Sequence, residues 1–316
     1  MRGRRIAAVV PLFLIAANCV PPAEVASGAE APPAPAPAPV IPAAPPPPPV
    51  PAELILGGRA EQGGVMIGKA PATTRALTLD GRAVPVAADG GFLIAFDRDA
   101  GPGAHLVATL ADGRVLDRRI DVAPGTWRIE HINAPYRGSA KSDADFERRR
   151  PAELAQIRAA RAVRAESGGW RQQFIWPVTG RFSGFFGSQR VYQGKPGSYH
   201  SGTDVAAAAG TPFVAPADGV VVLAAEAPFT LEGYLLIVDH GMGLTSAFLH
   251  CQRLDVTVGD RVVQGQRLGT VGATGRATGP HMHWGLTWQG AGQSAGQGAR
   301  LDPGKLAGAM PQGAAR

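Results

Sequence analysis

The chain has 316 residues, 45% of them apolar, which is enough for about two domains with cores of their own. Its 29 prolines and 42 glycines are unevenly spread, and two cysteines are too few for a disulfide-stapled scaffold. A net charge of +6 draws a protein toward anionic surfaces, but the basic residues are scattered and no nucleic-acid-binding motif accompanies them.

Met1-Arg2-Gly3-Arg4-Arg5 precedes an apolar run from Ile6 to Ala17. That run falls short of the roughly 20 residues a membrane-spanning helix needs. A basic start, a short apolar core and small residues after it predict a secretory signal peptide over residues 1–19, and so a periplasmic or cell-envelope location. Cys19 stands where a lipoprotein signal places its acylated cysteine, whereas Asn18 fits such a signal poorly. A membrane tether through Cys19 and a cleaved soluble form both stay open. Cys251 is then left without a mature partner, and an unpaired thiol in an oxidising compartment predicts burial.

Residues 20–52 form a Pro/Ala-rich tract, including Pro45 to Pro49, expected to be a disordered linker of extended polyproline character. Residues 53–138 carry short apolar runs such as Phe92 to Phe96 and His105 to Leu110, separated by turn signals at Asp80-Gly81, Asp89-Gly90-Gly91 and Asp112-Gly113. That spacing predicts a small β-sandwich, an accessory domain in which His105 and His131 are structural. Residues 139–169 predict an Arg-rich helical connector. Ser142 or Asp143 caps it, Leu154, Ile157 and Val163 form a thin apolar stripe, and Pro151 marks a kink or a second start. From 170 to 306 short β-like segments return, predicting a mostly antiparallel sheet domain, with a loop at Gln289 to Gln297 and a frayed tail at 307–316. The fold class is mainly β.

Five of the seven histidines fall in this C-terminal part. Tyr199-His200-Ser201-Gly202-Thr203-Asp204 and Gly279-Pro280-His281-Met282-His283-Trp284 are the informative clusters. On an extended strand, residues two or four apart face one side, so His200 can meet Asp204 and His281 can meet His283. Imidazole and carboxylate are donors that zinc accepts, and catalytic zinc takes three protein ligands and keeps one position open. His200, Asp204 and His283 would leave that position open and free His281 to act as acid or base.

The His200-x-x-x-Asp204 and His281-x-His283 elements, with Gly210-Thr211-Pro212, Val238-Asp239-His240-Gly241, Ala247-Phe248-Leu249-His250 and the run Thr274 to Pro280, resemble the lysostaphin/LytM family of zinc metallopeptidases over about residues 177–303. The resemblance implies one Zn²⁺ per chain held by His200, Asp204 and His283, with His281 and His250 as catalytic histidines. It implies peptidoglycan as the partner, and hydrolysis of its stem-peptide or cross-bridge bonds by an activated water. Gly285 stands where many relatives carry Glu, a position that is not a ligand. His240 is expected to be structural and Cys251 a core residue. A catalytically silent wall-binding module that activates an amidase is the alternative, and it predicts substituted ligand positions, whereas all five are intact. No nucleic-acid partner is expected.

Overall fold

A computed structural model describes residues 52–135, 144–290 and 298–311. The signal-like segment with Cys19, the proline tract up to residue 51, the helix cap at Ser142 or Asp143, residues 291–297 of the loop and the tail from residue 312 lie outside them.

The first seven strands are β1 (Ile55–Gly57), β2 (Val65–Lys69), β3 (Thr74–Leu79), β4 (Arg82–Ala83), β5 (Gly91–Ala95), β6 (Gly103–Leu110) and β7 (Val115–Asp121). They form two antiparallel sheets, β1-β2-β5 and β4-β3-β6-β7. Along β6, Ala104, Leu106, Ala108 and Leu110 are buried and their neighbours are not, the period-two pattern of a strand with one covered face. All five residues of β5 are buried, as in a strand covered on both sides. β8 (Ile129–Ile132) leaves these sheets, and α1 (Ala144–Ala162) follows it.

The C-terminal part contains β9 (Arg181–Gly184), β10 (Gln189–Tyr192), β11 (Lys195–Pro196), β12 (Thr203–Ala206), β13 (Pro212–Val214), β14 (Gly219–Ala224), β15 (Tyr234–Asp239), β16 (Leu244–Cys251), β17 (Arg253–Leu254), β18 (Arg261–Val262), β19 (Arg267–Thr270), β20 (His281–Trp288) and β21 (Ala299–Leu301), then the short α2 (Pro303–Ala307). Its main sheet runs β18-β14-β15-β16-β20-β12-β9, with β21 added to β20, and every pairing in it is antiparallel. A lateral sheet, β13-β19-β17, packs alongside through Phe213 and Leu268, both fully buried. β8 pairs in parallel with β10, Ile129 opposite Gln189 through Ile132 opposite Tyr192.

The sandwich and the main sheet share one connected set of buried apolar side chains, running from Leu54 to Leu301. Polar ties reinforce it: Arg171 with Asp89 at 2.7 Å, Lys305 with Glu61 at 2.8 Å, and the Arg300 N–H donating to Asp97 at 2.8 Å.

α1 differs from its sequence pattern in two ways. It continues through Pro151 as one helix, and its buried residues are Glu153, Ile157 and Ala160, while Val163 lies beyond it and is exposed. Ile157 and Ala160 pack with Val222, Leu223 and Leu235. Glu153 is buried because its carboxylate accepts from the Thr230 N–H at 2.8 Å and from the Thr230 hydroxyl at 2.6 Å. A charged side chain thus serves as one tooth of the helix's inward face, its cost offset by hydrogen bonds and by Arg149 and Arg150.

Candidate metal centre

Strand alternation builds most of the site. Along β20, Met282, Trp284, Leu286 and Trp288 point into the core, leaving His281 and His283 together on the other face. β12 runs antiparallel beside it, with Asp204 directly opposite His283. His200 arrives differently: β12 begins only at Thr203, so alternation does not aim its side chain. Its backbone is clamped on both sides, His200 N–H donating to Ser188 O and Gly187 N–H donating to His200 O, each at 2.9 Å. Its Nδ1–H donates to the Phe185 carbonyl at 3.1 Å.

Three atoms converge. His200 Nε2 lies 3.1 Å from His283 Nδ1 and 3.1 Å from Asp204 Oδ1, and His283 Nδ1 lies 2.9 Å from the same Oδ1. Among the described residues these three side chains are the group able to offer donor atoms to one ion. Because the other nitrogen of His200 is committed to Phe185, its Nε2 presents a lone pair toward a carboxylate oxygen and a second imidazole. Lone pairs packed this closely repel unless a cation sits among them. Metal–ligand bonds of about 2.0–2.1 Å at angles of about 90–110° separate donor atoms by about 2.8–3.4 Å, so the triangle fits a small divalent ion.

The electrostatics are mutual. Burial pushes the Asp204 carboxyl upward, but the imidazoles of His200 and His283 beside it outweigh that effect and hold the group well below the usual carboxylate range. Burial keeps His283 below the ordinary histidine value against the pull of Asp204. Burial also lowers His200, yet there the Asp204 carboxylate wins and the net shift is upward.

Two more imidazoles flank the triangle. His281 Nε2 lies 3.9 Å from Asp204 Oδ1, and its Nδ1–H donates to Gly279 O at 2.8 Å. His250 sits near the end of β16 with φ of 62°, a left-handed conformation that non-glycine residues seldom adopt. Its ring centroid is 4.9 Å from that of His281 and 6.3 Å from that of His283. The His250 N–H donates to Glu232 O and its Nδ1–H to Thr274 O, both at 2.8 Å. Burial, aided by the neighbouring imidazoles, keeps His250 below the ordinary histidine value and so neutral near pH 7. Both flanking rings direct Nδ1–H at a backbone carbonyl, and His250, being neutral, leaves Nε2 as an acceptor.

Two glycines shape the site without any chemistry of their own. A Cβ on Gly202 would lie 2.5 Å from His283 Nε2, and one on Gly184 would collide with Asp204 Oδ2 and reach 3.0 Å from His200 Cε1. The carbonyls of Phe185, Thr274 and Gly279, which set the tautomers, carry no sequence signal at all.

The remaining histidines lie elsewhere. His240 is fully buried beneath the sheet, its Nδ1–H donating to Asp218 O and its Nε2 accepting from the Ser246 hydroxyl, each at 2.8 Å. His105 faces Asp117 and Arg119 on the sandwich, and His131 is exposed on β8. Cys251 is fully buried, and burial pushes its thiol up to about 12. Tyr199 lies between the guanidinium groups of Arg98 and Arg300, 4.9 and 5.6 Å from its ring.

A β-sheet face bearing a His/Asp/His donor set, with two further imidazoles beside it, has the donors that a metal-dependent hydrolase site requires. Residues 198–298 match the model of Peptidase family M23. The chain is 41% identical over 91 residues to the peptidoglycan DD-endopeptidase ShyA of Vibrio cholerae, a stretch covering 29% of this chain and 21% of that protein. It is 35% identical over 130 residues to ShyC of the same organism, also a peptidoglycan DD-endopeptidase, covering 41% and 26%. The chain thus spans about a quarter or less of the length of these relatives. The crystal structure of a Pseudomonas aeruginosa protein described as a peptidase M23 superposes with a TM-score of 0.58 at 28% identity, covering 79% of this chain and 96% of that one. That likeness takes in more of the chain than the peptidase domain alone.

Proposed function

We propose that the protein is a zinc-dependent endopeptidase that hydrolyses peptide cross-links of bacterial peptidoglycan. The convergence of His200, Asp204 and His283 beside two further imidazoles carries this reading. The relatives named as peptidoglycan DD-endopeptidases support the choice of substrate. His200, Asp204 and His283 would hold the ion, and two nitrogens with one carboxylate oxygen suit zinc better than the harder calcium or magnesium. Zinc supplies Lewis acidity, polarising the scissile carbonyl and lowering the pKa of water.

The chain's own groups do the rest. His281 takes the proton of the attacking water on Nε2 and delivers it to the leaving amine, while its Nδ1–H stays anchored on Gly279 O. His250, neutral and held by Thr274 and Glu232, orients the water and the developing oxyanion beside His281. The intact donor set favours an enzyme over a silent module that activates an amidase. In this scheme residues 170–306 are the peptidase domain, residues 53–138 an accessory β domain, and the export pattern of residues 1–19 delivers the protein to the envelope where its substrate lies.

Purified wall sacculi incubated with zinc-loaded protein, followed by mass spectrometry of the released muropeptides, test the proposal. Loss of cross-linked dimers is expected, abolished by chelation and by Asp204→Ala. Dimers cleaved equally well by the Asp204→Ala variant would sink the ligand set. Intact dimers with activation of an added amidase would favour the silent module.

A further inference from the structure

The cavity next to His200 is walled from two sides. It encloses about 700 Å³ and is lined by Gln189, Arg190, Tyr199 and His200 of the peptidase part and by Arg128 and Glu130 from the start of β8. The parallel pairing of β8 with β10 fixes this wall, and Gln189 N–H donates to Arg128 O at 3.0 Å. Within the wall, Arg190 and Glu130 neutralise each other at 2.8 Å. Arg128 differs, for it forms no ion pair among the described residues. Its guanidinium lies over the Phe185 ring, 3.4 Å from the centroid. Phe185 is also the residue whose carbonyl accepts from His200 Nδ1–H. A guanidinium stacked face-on to a ring keeps its N–H edges turned outward and has already lost much of its rotamer freedom. An exposed, uncompensated, pre-ordered cation therefore stands one side chain away from a candidate metal ligand.

We infer that Arg128 binds a free carboxylate of the peptide substrate close to the scissile bond, so that the segment leading out of the sandwich supplies a specificity-determining residue. The inference rests on the proposed peptidase activity. A planar fork meeting a carboxylate gives a bidentate, charge-assisted pair, which selects a free acid over the corresponding amide. Cross-linked wall peptides offer such free carboxylates beside the cross-link.

The zinc-loaded protein is assayed on a cross-linked muropeptide dimer with free carboxyl groups and on the same dimer with those groups amidated. Binding of both dimers is measured by calorimetry on the non-cleaving His281→Ala variant, with and without the Arg128 substitution. The wild type is expected to prefer the free acid about tenfold in kcat/KM, chiefly through KM. Arg128→Gln should collapse that ratio toward one, and Arg128→Lys should keep part of it, because charge remains while fork and stack are lost. A ratio unchanged in Arg128→Gln, including equal losses on both dimers, overturns the inference. A wild type that cleaves both dimers equally removes the inference alone, whereas one that neither cleaves nor binds either dimer removes the peptidase proposal with it.

Discussion

Arg150→Met would test whether α1 holds His250 in its left-handed conformation. Arg150 makes a bidentate pair with Glu232 at 2.6 and 2.8 Å, and the two side chains are only 16% and 11% exposed. The Glu232 side chain is the largest cause of the raised Arg150 pKa, and its backbone carbonyl accepts the His250 N–H. Removing one partner of a fully buried pair costs about 3–5 kcal/mol, and an exposed pair contributes less than about 1 kcal/mol. With both groups near the buried end, about 2 kcal/mol is expected. At about 2–4 °C per kcal/mol for a unit of this size, Tm should fall by about 4–8 °C. A loosened Glu232 segment lets the His250 backbone relax toward the extended region, and displacements of about 1 Å at a reacting group cost up to about a hundredfold. The expected signature is a kcat reduced by about ten- to a hundredfold with zinc stoichiometry intact, since the apolar side chains that α1 buries pack on Val222, Leu223 and Leu235. Melting, metal analysis and steady-state kinetics on a muropeptide dimer read the three quantities. A Tm loss of this size with kcat unchanged would refute the coupling and leave α1 as a mere buttress, and so would loss of zinc. The Arg150→Met/Glu232→Gln double variant should lose less than the sum of the singles.

Zinc added at about a hundredfold over its Kd should stabilise the metal-free protein by about 2.7 kcal/mol in a melting experiment, and a comparable shift in Asp204→Asn would argue against this donor set. Gly184→Ala, whose added methyl collides with Asp204 Oδ2, should weaken zinc binding by about 10–100-fold in competition with a chromogenic chelator; wild-type affinity would mean that β9 yields freely. Burial lowers the His240 pKa from an ordinary 6.5 to about 4, so below pH 6.5 the unfolded chain binds the extra proton. Stability is complete above about pH 6.5, declines as pH falls toward 4 by on the order of 3 kcal/mol, and does not change further below that on account of this group. Denaturant titrations of His240→Gln should show a flatter acid limb over that window, and an unchanged slope would place the loss elsewhere.

Much of this architecture is legible in the chain because it follows period two. The apolar runs of the sandwich and the alternation His281-Met282-His283-Trp284 announce strands with one face inward, and the described strands lie where those patterns fall. What is not legible depends on groups without sequence character. His200 lies ahead of its strand and is aimed by the carbonyls of Ser188 and Phe185. His250 comes near the other imidazoles through a positive φ that no spacing argument contains, and resemblance alone pointed to it. Glu153, polar and charged, reads as a solvent-facing helix residue until the Thr230 hydroxyl and amide are seen beneath it. The parallel pairing of β8 with β10 joins residues about 60 apart and depends on chain topology, which local pattern does not encode.

The same register makes the donor triangle stiff. His283 is opposed by Asp204 on one side and by Leu249 on the other. A slip of one residue along β20 would send both imidazoles into the core and bring Met282 and Trp284 to the surface. That slip is opposed from beneath: the Trp284 ring is fully buried, its Nε1–H donates to the Ser246 hydroxyl at 3.1 Å, and that hydroxyl donates to His240 Nε2 at 2.8 Å. Neutral His240 suits this chain of donors, because its Nε2 accepts the Ser246 O–H while the same oxygen accepts the Trp284 N–H. The buried histidine thus secures the strand on one face whose other face presents the donors. Side chains held this way are in place before an ion arrives, so binding need not order them and the affinity is not diminished by that entropy.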